Sequence, residues 1–583
     1  MPLQVRLETV TFSDHTVVSL PPAGVLVLVG PNNAGKSQAL RDIYEHCQQP
    51  RSGRCVAGVT IRKSGTRDDF ETWVTNNVPR RRQGSDLEMY HAPNWMTNTL
   101  EQFGKLWNAE TGSLEQMRDM FVFHANAMNR LTGANSTSNL DYAQEPPVSP
   151  LQKAYLDGSL ERAFDEISRS AFGLRTVVDR QGGSRVSLRV GLAKPDFTHE
   201  NGVPDQEYLH KLHVMPLIDD QGDGMKSFMG LMIHVMAGNH FITLVDEPEA
   251  FLHPPQARML GKLLAQRSVD DKHVVIATHS SDIVQGVLNA EVPSTIVRIT
   301  RNGDHNEASV LLNEDLTDLW NDPLLKHSNV LDGLFHDAVV ICEADSDCRL
   351  YSAVLDSIRN EGTKLPTSRM PEILFVPSGG KQRLHTLVRA LKAVSVPVFV
   401  IADFDLLRQK EDINRILNEL GEDFSSIEKS YRILDSALRS AEEKLTHADL
   451  LGTFKSAIDS MPDPLDRKSL NSLKGLLKIN SGWDKVKRTG LAGVPQGDPY
   501  RACTELVSAL RDFGIFVVPV GELERFAPQV SGHGPSWTSE VLARKLHEGR
   551  NLPQLRDFVL DLYNRAQQAA IGESARDSDT TSQ

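Results

Sequence analysis

Residues 25–37 read VLVLVGPNNAGKS, an unbroken apolar run that ends in a glycine-rich loop. The run from Val25 to Val29 suits a strand buried on both faces of a parallel sheet. Gly30 to Ser37 fits the pattern GxxxxGK[ST] and leads into a helix-compatible segment, SQALRDIYEHC. Strand, loop and helix in that order are the context the pattern requires. The backbone N–H groups of such a loop turn inward and, with the helix N-terminus, bind phosphate oxygens. Asn32, Asn33, Gly35, Lys36 and Ser37 are therefore the expected contacts to ATP. Lys36 would bridge the β- and γ-phosphates and Ser37 would ligate Mg²⁺.

Further along, TLVDEPE (Thr243 to Glu249) is another apolar strand, ending in Asp246 and Glu247. Asp246 is expected in the Mg²⁺ shell and Glu247 beside the attacking water. A third strand, in VVIATHS, ends at His279, placed to contact the γ-phosphate. The order of these three pieces resembles the ATPase head of the ABC class. FLHPP, Phe251 to Pro255, looks like the RecF-type and OLD-type branch of that class. QGDGMKSF (Gln221 to Phe228) resembles a degenerate signature loop, with Gly222, Gly224 and Ser227 as its carriers. That resemblance implies two heads sandwiching two nucleotides, hence a homodimer or homotetramer. The span between Ser37 and Asp246 is too short for long coiled coils. A compact helical dimerisation insertion within 85–172 is expected instead, inside an ATPase domain covering 1–330.

The second half repeats the logic with acids. VVICEADSD (Val339 to Asp347) places Glu343 at a strand end and Asp347 one helical turn later, on the same helix face. VFVIADFD (Val398 to Asp405) places Asp403 and Asp405 after another apolar strand, where alternate residues point the same way. VVPVGELER adds Glu522 and Glu524 after a fourth strand. Like charges gathered at strand ends repel unless cations bind there, and hard oxygen ligands suit Mg²⁺ or Mn²⁺. PSGGKQ (Pro377 to Gln382) is a glycine-rich turn able to hold a phosphate, with Lys381 nearby. The plainer account, carboxylates stabilising helix N-termini, competes for each acid singly.

A glutamate followed by DxD, each after a parallel strand, resembles the Toprim domain. An ABC-type head followed by Toprim resembles the OLD (overcoming lysogenization defect) family of ATP-linked nucleases. The fold class is then α/β: the head with its insertion, and a Toprim α/β domain over 335–550 with a helical insertion at 406–512. A C-terminal helix and disordered tail are expected over 551–583. The resemblance implies metal-dependent cleavage of double-stranded phage or plasmid DNA, frequently in antiphage defence. It also implies partners of the Gabija or retron kind, a helicase-like protein or retron RNA/DNA. Glu343, Asp347, Asp403 and Asp405 match the family pattern; Glu522 stands where the family often has aspartate. A downstream lysine assists the family's chemistry, and Lys545 in VLARKLHEG is the candidate. Two ions about 4 Å apart would clamp the scissile phosphate.

Composition bounds these readings. The chain has 583 residues, 40% hydrophobic and 24% charged, with formal charge −13, so it is no polycation that coats nucleic acid. DNA contact must come from local patches, with Arg80-Arg81-Arg82 and Lys485 to Arg488 as candidates. Cysteines at 47, 55, 342, 348 and 503 form no CxxC pair, which argues against a zinc ribbon or disulfide scaffold. No apolar run reaches the ~18–20 residues of a membrane span, so no membrane partner and a cytoplasmic setting are expected. A topoisomerase would need a second DNA-gate domain, and a primase usually brings a zinc module. The main alternative is a RecF-like, ATP-controlled DNA-binding repair protein without cleavage, which would not need the acids after residue 336.

Overall fold

The computed structural model divides into two compact units, Met1–Pro323 and Leu324–Gln583. It describes residues 3–83, 87–93, 96–108, 110–142, 147–196, 204–269, 272–303, 305–311, 329–361, 370–440, 447–461, 473 and 482–571. The side chains of Arg81 and Arg82, and the tail expected after residue 571, lie outside the described residues. Among the described residues no helix is long and apolar enough to cross a membrane, and all five cysteines are buried and unpaired.

Both units are mixed α/β. The first is built on a six-stranded sheet in the order His305–Leu311, Ser294–Asn302, Gly24–Val29, His273–Ala277, Ile242–Asp246, Val122–Ala125. All neighbours are parallel except the first pair. Every residue of Gly24–Val29 is buried, as a central strand covered on both faces requires. Asp246, Ala277 and Val29 therefore all end strands at one edge of the sheet, where the loops carry chemistry.

The expected helical insertion at 85–172 needs correction. That span supplies Val122–Ala125, which pairs with Ile242–Asp246 as the sixth strand of the sheet. It also supplies Leu87–His91, paired with Arg80–Gln83 and Thr97–Asn98. Only Pro150–Leu156 and Gly158–Phe172 form the helical stretch read over 151–172. Helix-spaced residues on both sides concealed a strand of only 4 residues.

Gly30 shows how tightly the loop is fixed. Its φ is +143°, and an added Cβ would lie 2.0 Å from the Ile299 carbonyl oxygen. Gly30→Ala is expected to destabilise the first unit by about 1–3 kcal/mol. Gly158→Ala, where an added Cβ meets nothing within 4 Å, should be near neutral. Urea unfolding of both variants checks the contrast.

The second unit holds a four-stranded parallel sheet, Ile373–Pro377, Ala338–Cys342, Val398–Ala402, Ile515–Val517. The chain leaves Ala338–Cys342 to one side, then returns past it to Val398–Ala402. The strand order thus reverses between these two, which opens a crevice at their C-terminal ends. Between Val398–Ala402 and Ile515–Val517 every described element is helical. The C-terminal helix Pro553–Ile571 is part of the core: Phe558, Leu562 and Tyr563 pack in one cluster with Tyr351, Phe399 and Phe516. Each such side chain contributes about 1.5–3 kcal/mol on burial, so this helix belongs with the sheet rather than with a tail.

Candidate functional site

In the first unit the phosphate-loop helix, Lys36–Gln48, starts directly after Gly35 at φ 101°. Asn32 and Asn33 are exposed at the rim of the loop, with Asn33 at φ 60°. Lys36 is buried, and its Nζ donates to the carbonyls of Gly30 (2.7 Å) and Pro31 (2.9 Å). Ser37 Oγ donates to Asp246 Oδ1 at 2.8 Å, so two motifs 209 residues apart share one hydrogen bond. A hydroxyl and a carboxylate in contact are the hard oxygen pair that suits Mg²⁺.

Glu247 sits at φ 47°, a left-handed conformation disfavoured for a residue with a side chain. Two bonds hold it there: its N–H donates to the Ala277 carbonyl at 2.8 Å, and Arg130 Nη2 donates to its carbonyl at 3.0 Å. His279 Nδ1 lies 3.6 Å from Glu247 Oε1 and 3.3 Å from Glu249 Oε1. Glu249 also accepts the His279 N–H at 2.9 Å and the Thr278 hydroxyl at 2.8 Å.

Arg130 is a site residue that sequence reasoning missed. It is 1% exposed, donates to the carbonyls of Asp246 and Glu247, and reaches Ser227 Oγ at 3.3 Å. Burial lowers its pKa, with Glu249, Asp246 and Glu247 opposing. No local pattern marks an arginine on the short helix Ala127–Thr132 as a partner of acids more than a hundred residues away. The contact also corrects the signature-loop reading. Ser227 is 1% exposed and faces Arg130 of its own unit, so it is not available to a second subunit. Gly222 remains exposed.

In the second unit the acids meet in the crevice. Glu343 follows Ala338–Cys342, and its Oε1 accepts the Asp403 N–H at 3.3 Å. Asp347 lies in the first turn of Asp345–Asn360 and accepts the Ala344 N–H at 3.1 Å, so it caps that helix as well as facing the cluster. Burial raises the pKa of Glu343, and Asp405 adds to the rise. Burial raises that of Asp347, with Glu524 and Asp345 contributing. Asp403 is pushed well above the usual carboxylate range by burial, then by Glu343, Asp405, Asp347 and Glu524. Desolvation and like-charge crowding together are what a cation would relieve.

Glu522 and Glu524 form a further group with His533, one ligand atom from each lying within 4.8 Å of the others. Glu524 Oε1 accepts the Gly534 N–H at 2.7 Å and contacts His533 Nδ1. Glu522 pairs with Arg525 at 3.1 Å. Sequence reasoning missed His533, which lies beyond the strand-end pattern that marked the glutamates.

The expected lysine is not at this cluster. Lys545 is 72% exposed, and the ion partner of its Nζ is Glu548, at 3.6 Å. Its loop is tied to Glu361 through the Gly549 N–H. Glu361 caps the C-terminal end of Asp345–Asn360, about 20 Å along the helix from Asp347 at 1.5 Å per residue. Among the described residues, the lysines that reach the acids are Lys487, whose Nζ lies 2.8 Å from Asp405 Oδ2, and Lys381, at 3.5 Å. Lys487 belongs to the basic run, Lys485 to Arg488, that the sequence offered as a candidate for DNA contact.

Residues 334–405 match the family model "Overcoming lysogenization defect protein-like, TOPRIM domain". The second unit therefore carries an OLD-like Toprim domain, and the match spans Glu343, Asp347, Asp403 and Asp405. The Old nuclease of Escherichia phage P2 is 23% identical over 290 residues, 48% of this chain and 42% of that protein. The aligned region thus spans under half the length of that relative. Among solved structures, an Smc head domain with an extended coiled coil from Pyrococcus furiosus is 9% identical. It covers 55% of this chain and 99% of its own, at a TM-score of 0.31. The SMC head domain from Thermotoga maritima is 13% identical, covering 53% and 98%, at 0.25.

Proposed function

We propose that the chain is an ATP-binding, divalent-metal-dependent DNA endonuclease. The observation that carries this reading is the 3.3 Å hydrogen bond from the Asp403 backbone N–H to Glu343 Oε1, inside a half-buried cluster completed by Asp347, Asp405 and Glu524. An all-carboxylate set, in which burial raises the pKa of Glu343, Asp347 and Asp403, fits hard divalent ions. Glu343, Asp347, Asp403 and Asp405 would hold them, with Glu522 and Glu524 alongside. Mg²⁺ or Mn²⁺ bound there would activate water and polarise the scissile phosphate. The chain's own part is to orient the substrate. Lys381 and Lys487 supply positive charge beside Asp405, while the Gly380 N–H is spent on the Glu343 carbonyl at 3.0 Å and fixes the turn against the acid cluster.

The first unit is read as the nucleotide switch. Ser37, Asp246 and Lys36 receive Mg²⁺–ATP, Glu247 orients water, and His279 faces the γ-phosphate. ATP is more simply a gate than a motor here: closing a homodimer or homotetramer of heads would set access of double-stranded DNA to the acids. An antiphage role and a defence-system partner follow from the family resemblance.

The test is nicking of supercoiled plasmid by the full chain. Mg²⁺ or Mn²⁺ should convert it to open-circle and linear forms, and EDTA should stop the reaction. Binding of plasmid without any nicking in either metal would favour the RecF-like alternative.

A further inference from the structure

The first unit holds a half-open cavity of about 400 Å³, away from the strand ends that carry Ser37, Asp246 and His279. It lies at the Val122–Ala125 edge of the sheet, and its walls include Trp73, Phe123, Val148, Lys153, His234 and His240. Its size falls within the ~300–1,000 Å³ range of small-molecule sites, and apolar walls with a few converging polar groups are their usual chemistry.

Three flat rings stand together in the wall. Phe123 stacks on His234 with centroids 4.9 Å apart and planes 6° from parallel. His240 lies on Phe123 at 5.4 Å and 28°. Burial lowers the pKa of His234 and pushes that of His240 down to about 4. Both imidazoles are thus neutral at pH 7 and offer apolar faces.

One cation lines this space with no ion pair among the described residues. Lys153 Nζ donates to the Ala237 carbonyl at 2.7 Å and to Asn239 Oδ1 at 2.6 Å. An ammonium has three donors, and among the described residues these two uncharged acceptors are its only partners. Burial pushes its pKa down to about 8, with Lys272 adding to the shift. Asp119 also lines the cavity, but its carboxylate is engaged by the Tyr44 hydroxyl at 2.5 Å and by Arg118 at 2.9 Å. Among the described residues Lys153 therefore keeps a desolvated charge and an unspent donor beside stacked rings.

We propose that this cavity binds a small planar aromatic carboxylate, with the ring against the Phe123, His234 and His240 stack and the carboxylate on Lys153. The site is independent of the nuclease reading, since it uses none of the acids in the second unit and none of the phosphate loop.

The test is calorimetric titration of the full chain at pH 7 with 2-naphthoate and with its uncharged counterpart, 2-naphthamide. Saturable naphthoate binding with Kd below about 1 mM, at least about tenfold tighter than the amide, is expected. Lys153→Met should remove that preference and leave the two probes equal. Equal affinity of the unaltered chain for both probes, or no saturable binding of naphthoate, overturns the proposal. So does displacement of naphthoate by ADP, which would place the probe in the phosphate loop. The comparison of the two probes on the unaltered chain decides the matter even if Lys153→Met does not fold.

Discussion

Asp403→Asn is expected to reduce plasmid cleavage by at least about 100-fold while making the metal-free chain more stable. The two effects share one cause. The Asp403 carboxylate is buried among Glu343, Asp405, Asp347 and Glu524, and its pKa is raised well above the usual range. An ionised carboxylate there is unfavourable without a cation, and the near-isosteric amide removes the charge. A gain on the order of 1 kcal/mol, or about 2–4 °C in Tm, fits a unit of this size. The sign with pH follows from linkage. The folded pKa lies above the unfolded value, so the folded state binds more protons in the window between the two. Stability therefore falls as pH rises through that window. The metal-free chain should melt higher as pH is lowered from 8 toward 5, and Asp403→Asn should flatten that slope. Mg²⁺ added at pH 8 should raise the Tm of the unaltered chain and move the variant less. Thermal melts with EDTA and with Mg²⁺, beside a nicking assay, give all the readouts. Full cleavage by the variant would remove Asp403 from the metal site.

Glu343 and Asp403 were legible in the sequence because each directly follows a fully apolar strand, and strand ends in parallel sheets converge by topology. Ala338–Cys342 and Val398–Ala402 are entirely buried, so their alternation-free runs marked them before any pairing was known. Glu343 and Asp403 then had to meet, since their strands are neighbours in the sheet. What could not be read was anything that reaches the site from elsewhere. Lys487 lies 82 residues from Asp405 on Gly482–Thr489, and its arrival depends on how a helical insertion folds back. Arg130 reaches Asp246 from 116 residues away on the same terms. Lys545 failed for the converse reason: a suitable residue type in a suitable region says nothing about which end of a helix it stands at. The strand Val122–Ala125 was hidden by its length, too short for periodicity to separate it from the helices around it.

Exchanging the two lysines in an assay separates geometry from family analogy. Lys487→Ala should lower kcat for nicking by about 10²–10³-fold, the range found when one donor to a developing oxyanion is removed. Lys545→Ala should stay within about twofold, because its Nζ pairs with Glu548 far along Asp345–Asn360 from the acids. A purely electrostatic DNA contact at Lys487 would show differently. It would raise KM, leave kcat near its starting value, and lower the salt slope of DNA affinity by about one. A third behaviour is also distinguishable. Lys487 lies 2.8 Å from Asp405 Oδ2, where a metal-bound carboxylate would face the ion instead. If the lysine merely occupies that oxygen, Lys487→Ala should bind Mn²⁺ more tightly and cleave at full rate. A loss of kcat with unchanged Mn²⁺ affinity places the lysine's charge on the phosphate. Lys487→Arg should then restore part of the rate, since it keeps the charge but not the compact point donor of an ammonium.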